Sequence, residues 1–96
     1  MLFWKEFSVK NLPVIVGELG NGGEAKPGSG MAKFRKAQND GVKKIEQAWF
    51  VSTKEFARPP ELSPNIGHGH HWYGNAESYF LIGDALGREM IRALNR

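Results

Sequence analysis

The chain has 96 residues, of which 41% are hydrophobic and 24% are charged, and its formal net charge is +3. This length allows one small domain over residues 1–96 and excludes two, and the composition is that of a folded chain rather than a disordered one. Cysteine is absent, which excludes disulfides, thiolate metal sites and cysteine nucleophiles.

The basic residues are scattered along the chain and alternate with acidic ones. The densest basic run, Lys33–Lys36 followed by Lys43 and Lys44, falls on a predicted amphipathic helix, where lysines usually form a solvated face. We therefore predict no nucleic-acid partner. No apolar run approaches the roughly 18 residues of a membrane span, and Met1–Phe7 lacks the features of a signal peptide, so we predict no membrane partner.

The first predicted element is an apolar face at the very start of the chain. Leu2, Phe3, Trp4 and Phe7 can share one side of a helix, yet no capping residue and no earlier element precede them. This pattern is typical of the tail of a longer helix. It indicates that the chain is part of a longer domain.

A buried strand and a long loop follow. Val14–Val16 is a β-branched run, entered through Pro13 and left through Gly17, and it predicts a strand buried on both faces of a parallel sheet. The segment Gly20–Gly30 is too rich in glycine and proline for regular structure. Its glycines lack the spacing of a nucleotide-binding loop.

A helix and a second strand come next. The helix is predicted from the helical spacing of its apolar residues, which are Met31, Phe34, Ala37, Val42 and Ile45. Ala48–Val51 is a second buried run, closed by Ser52 and Thr53, and the polar, proline-rich segment 54–65 is predicted to run over the surface.

The last element is a long helix that Asn75 should cap. Its apolar stripe comprises Tyr79, Ile82 or Gly83, Leu86, Met90 and Leu94. Gly83 and Gly87 each weaken a helix by about 1 kcal/mol, so we expect a close-packed neighbour against them. The order strand, helix, strand, helix predicts an α/β fold with a parallel sheet.

All three histidines lie in the segment His68–Gly74, called here the histidine loop. Imidazole titrates near neutrality and is therefore suited to moving a proton. Glu18 directly follows the first strand, and loops at the carboxyl ends of parallel strands share one rim of the sheet. We therefore predict that Glu18 orients a histidine that acts as a general base. In the alternative interpretation, Glu18 is a turn residue that caps backbone amides.

Two further interpretations concern the same loop. The spacing His68-x-His70 also occurs in zinc sites, but His70 and His71 are adjacent and should point apart, so we predict no metal and no cofactor and keep a small metal protein as an alternative. Trp72 and Tyr73 either stack on a sugar or anchor the loop as half-buried side chains.

Several motifs together resemble a known family. They are Leu12–Gly20, Phe34–Gln38, Phe50–Thr53 and Gly69–Tyr79. In this order they resemble the carboxyl-terminal part of the sialate O-acetylesterase and carbohydrate esterase family six group of SGNH hydrolases, from about Leu12 onward. The resemblance implies a flavodoxin-like α/β/α sandwich that removes acetyl groups from sugars with a serine, a histidine and an acid.

The resemblance assigns roles to individual residues. The family's late histidine matches His71, and His68 stands where many relatives have an aspartate, so Glu18 becomes the expected acid. Arg35 and Gln38 match the helix motif and are expected to anchor the Glu18 loop. Predicted substrate-binding residues are His70, Trp72, Tyr73 and Asn21.

The family's nucleophile lies in a Gly-Gln-Ser type motif that has no counterpart in this chain. The expected partners are therefore the missing amino-terminal half of the domain and an acetylated carbohydrate. Alone, the chain should be inactive, because base and acid act only through the serine. A full-length protein like its family would be exported. The alternative is a non-catalytic module that binds carbohydrate or another protein.

Overall fold

A computed structural model describes residues 12–20 and 23–96. In chain order its regular elements are β1 (Val14–Gly17), α1 (Gly30–Val42), β2 (Ala48–Val51) and α2 (Ala76–Leu94), with short 3-10 turns at Lys54–Phe56, Pro60–Leu62 and Gly69–Gly74. The predicted order of strand, helix, strand, helix is confirmed. The chain has a small α/β fold.

The two strands form a parallel sheet, as predicted. Val14 lies opposite Ala48 and Gly17 opposite Val51, and α1 supplies the crossover that parallel strands require. The expectation that the strands are buried on both faces is wrong, since all of their residues are half-buried. In the described part the sheet has two strands, too few for either strand to be enclosed.

Helix α1 begins after a capping serine, and the side of the helix that it buries differs from the predicted one. Ser29 Oγ accepts a hydrogen bond of 3.2 Å from the Ala32 amide. The buried residues are Arg35 and Val42, whereas Phe34, predicted to face the core, is 54% exposed. On the buried side, the Arg35 guanidinium donates a hydrogen bond to the Leu19 carbonyl. Because α1 ends at Val42, the predicted core residue Ile45 lies beyond it.

Helix α2 begins at the predicted cap and packs on the sheet. Asn75 Oδ1 accepts a hydrogen bond of 3.1 Å from the Ser78 amide, and the fully buried Ser78 donates its hydroxyl to the Phe56 carbonyl at 2.7 Å. Leu86 packs over Gly17, where an added Cβ would lie 3.4 Å from its Cδ2. This contact places α2 against the carboxyl end of β1.

One side of α2 has no described neighbour. A Cβ built on Gly83 or Gly87 would meet nothing within 4 Å, so the expectation of a close-packed partner for these glycines is wrong in the described part. Leu94 is 67% exposed and Tyr79 is exposed as well, although both were predicted to lie on the buried stripe. The 19-residue helix extends beyond the two four-residue strands, so the strands cannot cover its whole length.

The core of the described part is correspondingly small. Val42 is its one buried hydrophobic residue, and the largest fully buried side chains are Thr53 and Ser78. Within residues 12–20 and 23–96, neither helix combines the length and the hydropathy that crossing a bilayer requires. With so few buried apolar side chains, the hydrogen bonds from polar side chains to the loop backbone are important for holding this fold together.

Candidate functional site at the carboxyl end of the sheet

The candidate site begins at the exit of β1, in residues Gly17–Gly20, called here the Glu18 segment. The Glu18 amide donates a hydrogen bond of 2.8 Å to the Val51 carbonyl, which extends the strand ladder by one residue. Thr53 is fully buried, and its Oγ1 donates to the Glu18 carbonyl at 2.9 Å. The exits of both strands are thereby tied together.

The Glu18 carboxylate spans the two strand exits. Its Oε1 accepts hydrogen bonds from Ser52 Oγ at 3.2 Å, from the Thr53 amide at 3.1 Å and from the Lys54 amide at 3.2 Å. The alternative interpretation, in which Glu18 caps backbone amides, therefore describes its contacts, although the amides follow β2 rather than β1. Among the described residues, Oε2 receives no hydrogen bond.

Two side chains of α1 hold the backbone of the same segment. Gln38 accepts from the Leu19 amide at 2.9 Å through Oε1 and donates to the Gly17 carbonyl at 2.9 Å through Nε2. Arg35 donates from Nε to the Leu19 carbonyl at 2.7 Å. The expected anchoring role of Arg35 and Gln38 is confirmed, and it leaves the Glu18 backbone little freedom to move.

Arg35 differs from the other residues that hold the Glu18 segment, because it is a buried cation. It is 6% exposed, and its Nη1 is buried and has no hydrogen-bond partner among the described residues. It forms no ion pair with any described carboxylate. Burial of a charged guanidinium costs free energy, and the hydrogen bond from Arg35 Nε to the Leu19 carbonyl offsets part of that cost.

The histidine loop is built on an uncommon backbone. Trp72 and Tyr73 have φ angles of 56° and 55°, and Gly74 follows at 66°. Each non-glycine residue in this left-handed region costs about 1 to 3 kcal/mol. The loop is held by amide donation from Tyr73 to the His68 carbonyl at 2.9 Å and from Asn75 to the Trp72 carbonyl at 3.0 Å.

A tyrosine of α2 also fixes the loop, because the Tyr79 hydroxyl donates to the His71 carbonyl. The three imidazoles are exposed, and their side chains make no hydrogen bond to the described residues. The ring centroids of His70 and His71 lie 4.2 Å apart, and that of His68 lies 5.5 and 6.4 Å from them. Among residues 12–20 and 23–96, no group of three histidine or acidic side chains could hold a metal ion.

The histidine loop and the Glu18 segment meet at Gly20. A Cβ added there would lie 2.7 Å from Trp72 Cζ2 and 2.9 Å from Thr53 Oγ1, so only glycine fits beneath the indole. The two loops therefore share one rim of the sheet, as predicted. Glu18 and His71 themselves form no hydrogen bond and no ion pair in the described structure.

The predicted substrate-binding residues have different settings. Trp72 is half-buried against Gly20 and so anchors the loop, whereas Tyr73 is half-buried over Gly69, where an added Cβ would lie 3.3 Å from its hydroxyl. His70 is exposed, and Asn21 lies outside the described residues.

Sequence reasoning assigned Thr53 no role beyond closing β2. Thr53 ends the Phe50–Thr53 motif and directly follows a buried strand, and this position was the signal that could have revealed its role.

Comparison of the chain with protein-family models, with curated proteins and with solved structures found no match. The resemblance to SGNH esterases therefore stays a prediction.

Proposed function

We propose that this chain is the carboxyl-terminal part of a carbohydrate O-acetylesterase of the sialate or xylan type, with a flavodoxin-like SGNH sandwich as its full domain. The observation that carries the proposal is the contact between Trp72 and Gly20. It brings the loop that contains His71 against the segment that contains Glu18, at the strand ends where α/β folds place their sites.

In this proposal His71 is the general base. Its ring is exposed and makes no hydrogen bond to the described residues, while its carbonyl is held by the Tyr79 hydroxyl. The imidazole takes the proton of a serine hydroxyl as that oxygen attacks the acetyl carbonyl, and it then protonates the departing sugar oxygen. Water, deprotonated by the same ring, releases acetate and restores the serine.

The serine comes from outside this chain, in the amino-terminal half of the proposed domain. Glu18 is the proposed acid. Its Oε1 is held by Ser52 and the amides of Thr53 and Lys54, which leaves Oε2 to accept a hydrogen bond from the ring N–H of His71. In the described structure Glu18 and His71 form no hydrogen bond. In this proposal, docking of the amino-terminal half moves the histidine loop towards Glu18.

The substrate in this proposal is an acetylated carbohydrate. The exposed His70 precedes His71 in the loop, and Tyr73 lies two residues after it, while Asn21 follows Gly20 in the chain. These side chains supply one aromatic face and several hydrogen-bonding groups, which suit a sugar ring.

Reconstitution tests the proposal. The chain is mixed with an amino-terminal half of an SGNH acetylesterase that carries the Gly-Gln-Ser motif, and release of acetate from acetylated xylan and of nitrophenol from 4-nitrophenyl acetate is followed. We expect activity that His71→Ala reduces at least about 1,000-fold. His70→Ala, the matched control one residue away, should retain most of it. Equal activity of the two variants would contradict the role of His71.

The second candidate function is a non-catalytic module, favoured by exposed apolar residues beside the histidine loop. Leu62 is 77% and Ile66 is 66% exposed, as in a surface that binds a partner protein. Sugar or protein binding that survives both Glu18→Gln and His71→Ala would support this module and argue against the esterase.

A further inference from the structure

Exposed lysines line one side of α1 and of the turn that continues it. The Lys43 amide donates a hydrogen bond of 3.2 Å to the Asn39 carbonyl, so the helical backbone carries this side of the helix past Val42. We call this surface the lysine face. It is formed by Lys33–Phe34, Lys36–Ala37, Asp40–Gly41 and Lys43–Lys44.

The lysine face lies opposite the buried side of α1. At 100° per residue, its members within the helix fall in an arc of about 160° of the circumference. The buried residues Arg35 and Val42 lie on the other side of the helix. From Lys33 to Lys44 the face is about 16 Å long at the rise of a helix. Its side chains are therefore accessible to a partner molecule over about three turns.

The positive charge of the lysine face is only partly balanced. Lys36 forms an ion pair with Asp40 at 2.7 Å, whereas Lys33, Lys43 and Lys44 form no ion pair with a described carboxylate. The hydrogen bond from Lys36 lowers the pKa of Asp40, desolvation opposes the shift, and the charges of Lys43 and Lys44 add to the lowering. One carboxylate thus lies among several lysines, and the face keeps an excess of positive charge.

An exposed aromatic side chain accompanies these lysines. Phe34 is 54% exposed, so much of its ring is in contact with water. Ala37 and Gly41 follow it on the same side of the helix and are exposed as well. A Cβ built on Gly41 would meet nothing within 4 Å, so a partner can approach the helix closely beside Phe34. An aromatic residue among charged ones is typical of surfaces that bind proteins.

The charge and the aromatic ring together favour one kind of partner. The phosphate backbone of duplex nucleic acid complements lysines, but it offers no apolar group to Phe34. An acidic protein segment with an apolar side chain complements both features. Its carboxylates meet the lysine ammonium groups, and its apolar side chain removes the Phe34 ring from water.

We propose that the lysine face of α1 docks an acidic segment of a partner protein, with carboxylates against Lys33 and Lys44 and an apolar side chain against Phe34. Arg35 and Gln38 of the same helix hold the Glu18 segment through separate hydrogen bonds. Docking on the lysine face uses neither of these side chains and leaves the candidate site accessible. The inference is therefore independent of the esterase proposal.

Fluorescence anisotropy with a defined probe tests the docking. The probe is a labelled peptide of about 12 residues, all glutamate except for a central pair of leucines, and it is titrated with the full chain at low ionic strength, where surface charges are least screened. We expect the double variant Lys33→Glu with Lys44→Glu to bind at least about ten times more weakly than the unchanged chain. Phe34→Ala should bind at least about three times more weakly.

The matched control is Lys54→Glu with Arg88→Glu, which changes the net charge by the same amount outside the lysine face. The side chains of Lys54 and Arg88 are 42% and 70% exposed. The control should bind the probe within a factor of about two of the unchanged chain. Circular dichroism verifies that all variants fold. Equal weakening in the control would overturn the proposal, because net charge alone would then explain binding.

Three further results would also overturn the proposal. The first is failure of the unchanged chain to bind the probe. The second is equal binding of a peptide whose leucines are replaced by serine, because Phe34 would then contribute nothing. The third is tighter binding to a short DNA duplex or to vesicles that contain phosphatidylserine, which would assign the lysine face to nucleic acid or to a lipid surface.

Discussion

The Glu18 segment and the histidine loop touch through Gly20 and Trp72, yet they are held in different ways. Long-range hydrogen bonds from Arg35, Gln38 and Thr53 fix the Glu18 segment. The histidine loop is held by hydrogen bonds within itself and to the nearby residues Asn65, Asn75 and Tyr79, and its imidazoles are exposed. One half of the candidate site is therefore set by tertiary structure and the other by local structure.

This difference suits the proposed chemistry. A carboxylate that orients a base gains from a fixed position, because a small misplacement weakens catalysis. A base that must accept and return a proton gains from access to substrate and solvent. Loops with few buried contacts also open at low free energy. We therefore expect disturbances of the Glu18 segment to affect stability more than disturbances of the histidine loop.

The largest expected effect comes from the residue that joins the two regions. Gly20→Ala places a methyl group against Trp72 and Thr53, and overpacking of this kind costs about 2 to 3 kcal/mol of unfolding free energy. Urea denaturation measures it. Gly30→Ala is the matched control, because an added Cβ there meets nothing within 4 Å, and it should be neutral or slightly stabilising. Equal effects of both variants would show that the two regions are not in contact.

A smaller effect is expected within the Glu18 segment. Glu18→Ala removes the acceptor of the Thr53 and Lys54 amides and should cost about 1 to 2 kcal/mol of unfolding free energy. Glu18→Gln keeps an oxygen at the Oε1 position and should cost about half as much. Urea denaturation of the two variants checks this order. Equal costs for the two variants would mean that the charge of Glu18, which both variants lack, holds the strand exits together rather than its hydrogen bonds.

The histidine loop should respond more weakly and more locally. Tyr79→Phe removes the hydroxyl that donates to the His71 carbonyl, which should cost about 0.5 to 1 kcal/mol. Hydrogen exchange should accelerate at the Tyr73 amide, which bonds to His68, and stay unchanged at the Thr53 amide. Equal acceleration at both amides would show that the two regions open as one unit.

The smallest expected effect on stability comes from Glu89 in α2, which belongs to neither region. The hydrogen bond from Arg92, aided by Arg96, lowers the pKa of Glu89 from its ordinary value of 4.5, although burial opposes the shift. A lowered pKa in the folded state means that the stabilisation is complete above 4.5 and is lost as the pH falls through the lower folded value. We expect a loss of about 0.2 to 0.5 kcal/mol.

Urea denaturation at a series of acidic pH values measures this loss, and Glu89→Gln is the control. The variant should lack this part of the pH dependence while keeping the rest. An unchanged acid profile in the variant would mean that the pair of Glu89 with Arg92 contributes nothing to folding.

The local elements followed from the sequence because their causes are local. The β-branched run at Val14–Val16 gave β1, and the capping oxygen of Asn75 gave the start of α2. The predicted position of Glu18 at a strand exit is correct for the same reason, since it depends only on where β1 ends. Periodicity was less reliable for α1, where Phe34 is exposed and Arg35 is buried.

What the sequence by itself determined is therefore the α/β order of the elements, the parallel sheet and the clustering of the histidines. The tertiary structure alone decided that Thr53 is buried beneath the Glu18 carbonyl and that Trp72 rests on Gly20. It also decided that one flank of α2 lacks a described neighbour. The physical reason is that strand and helix formation depend on neighbouring residues, whereas burial depends on which distant elements are present to pack against a surface.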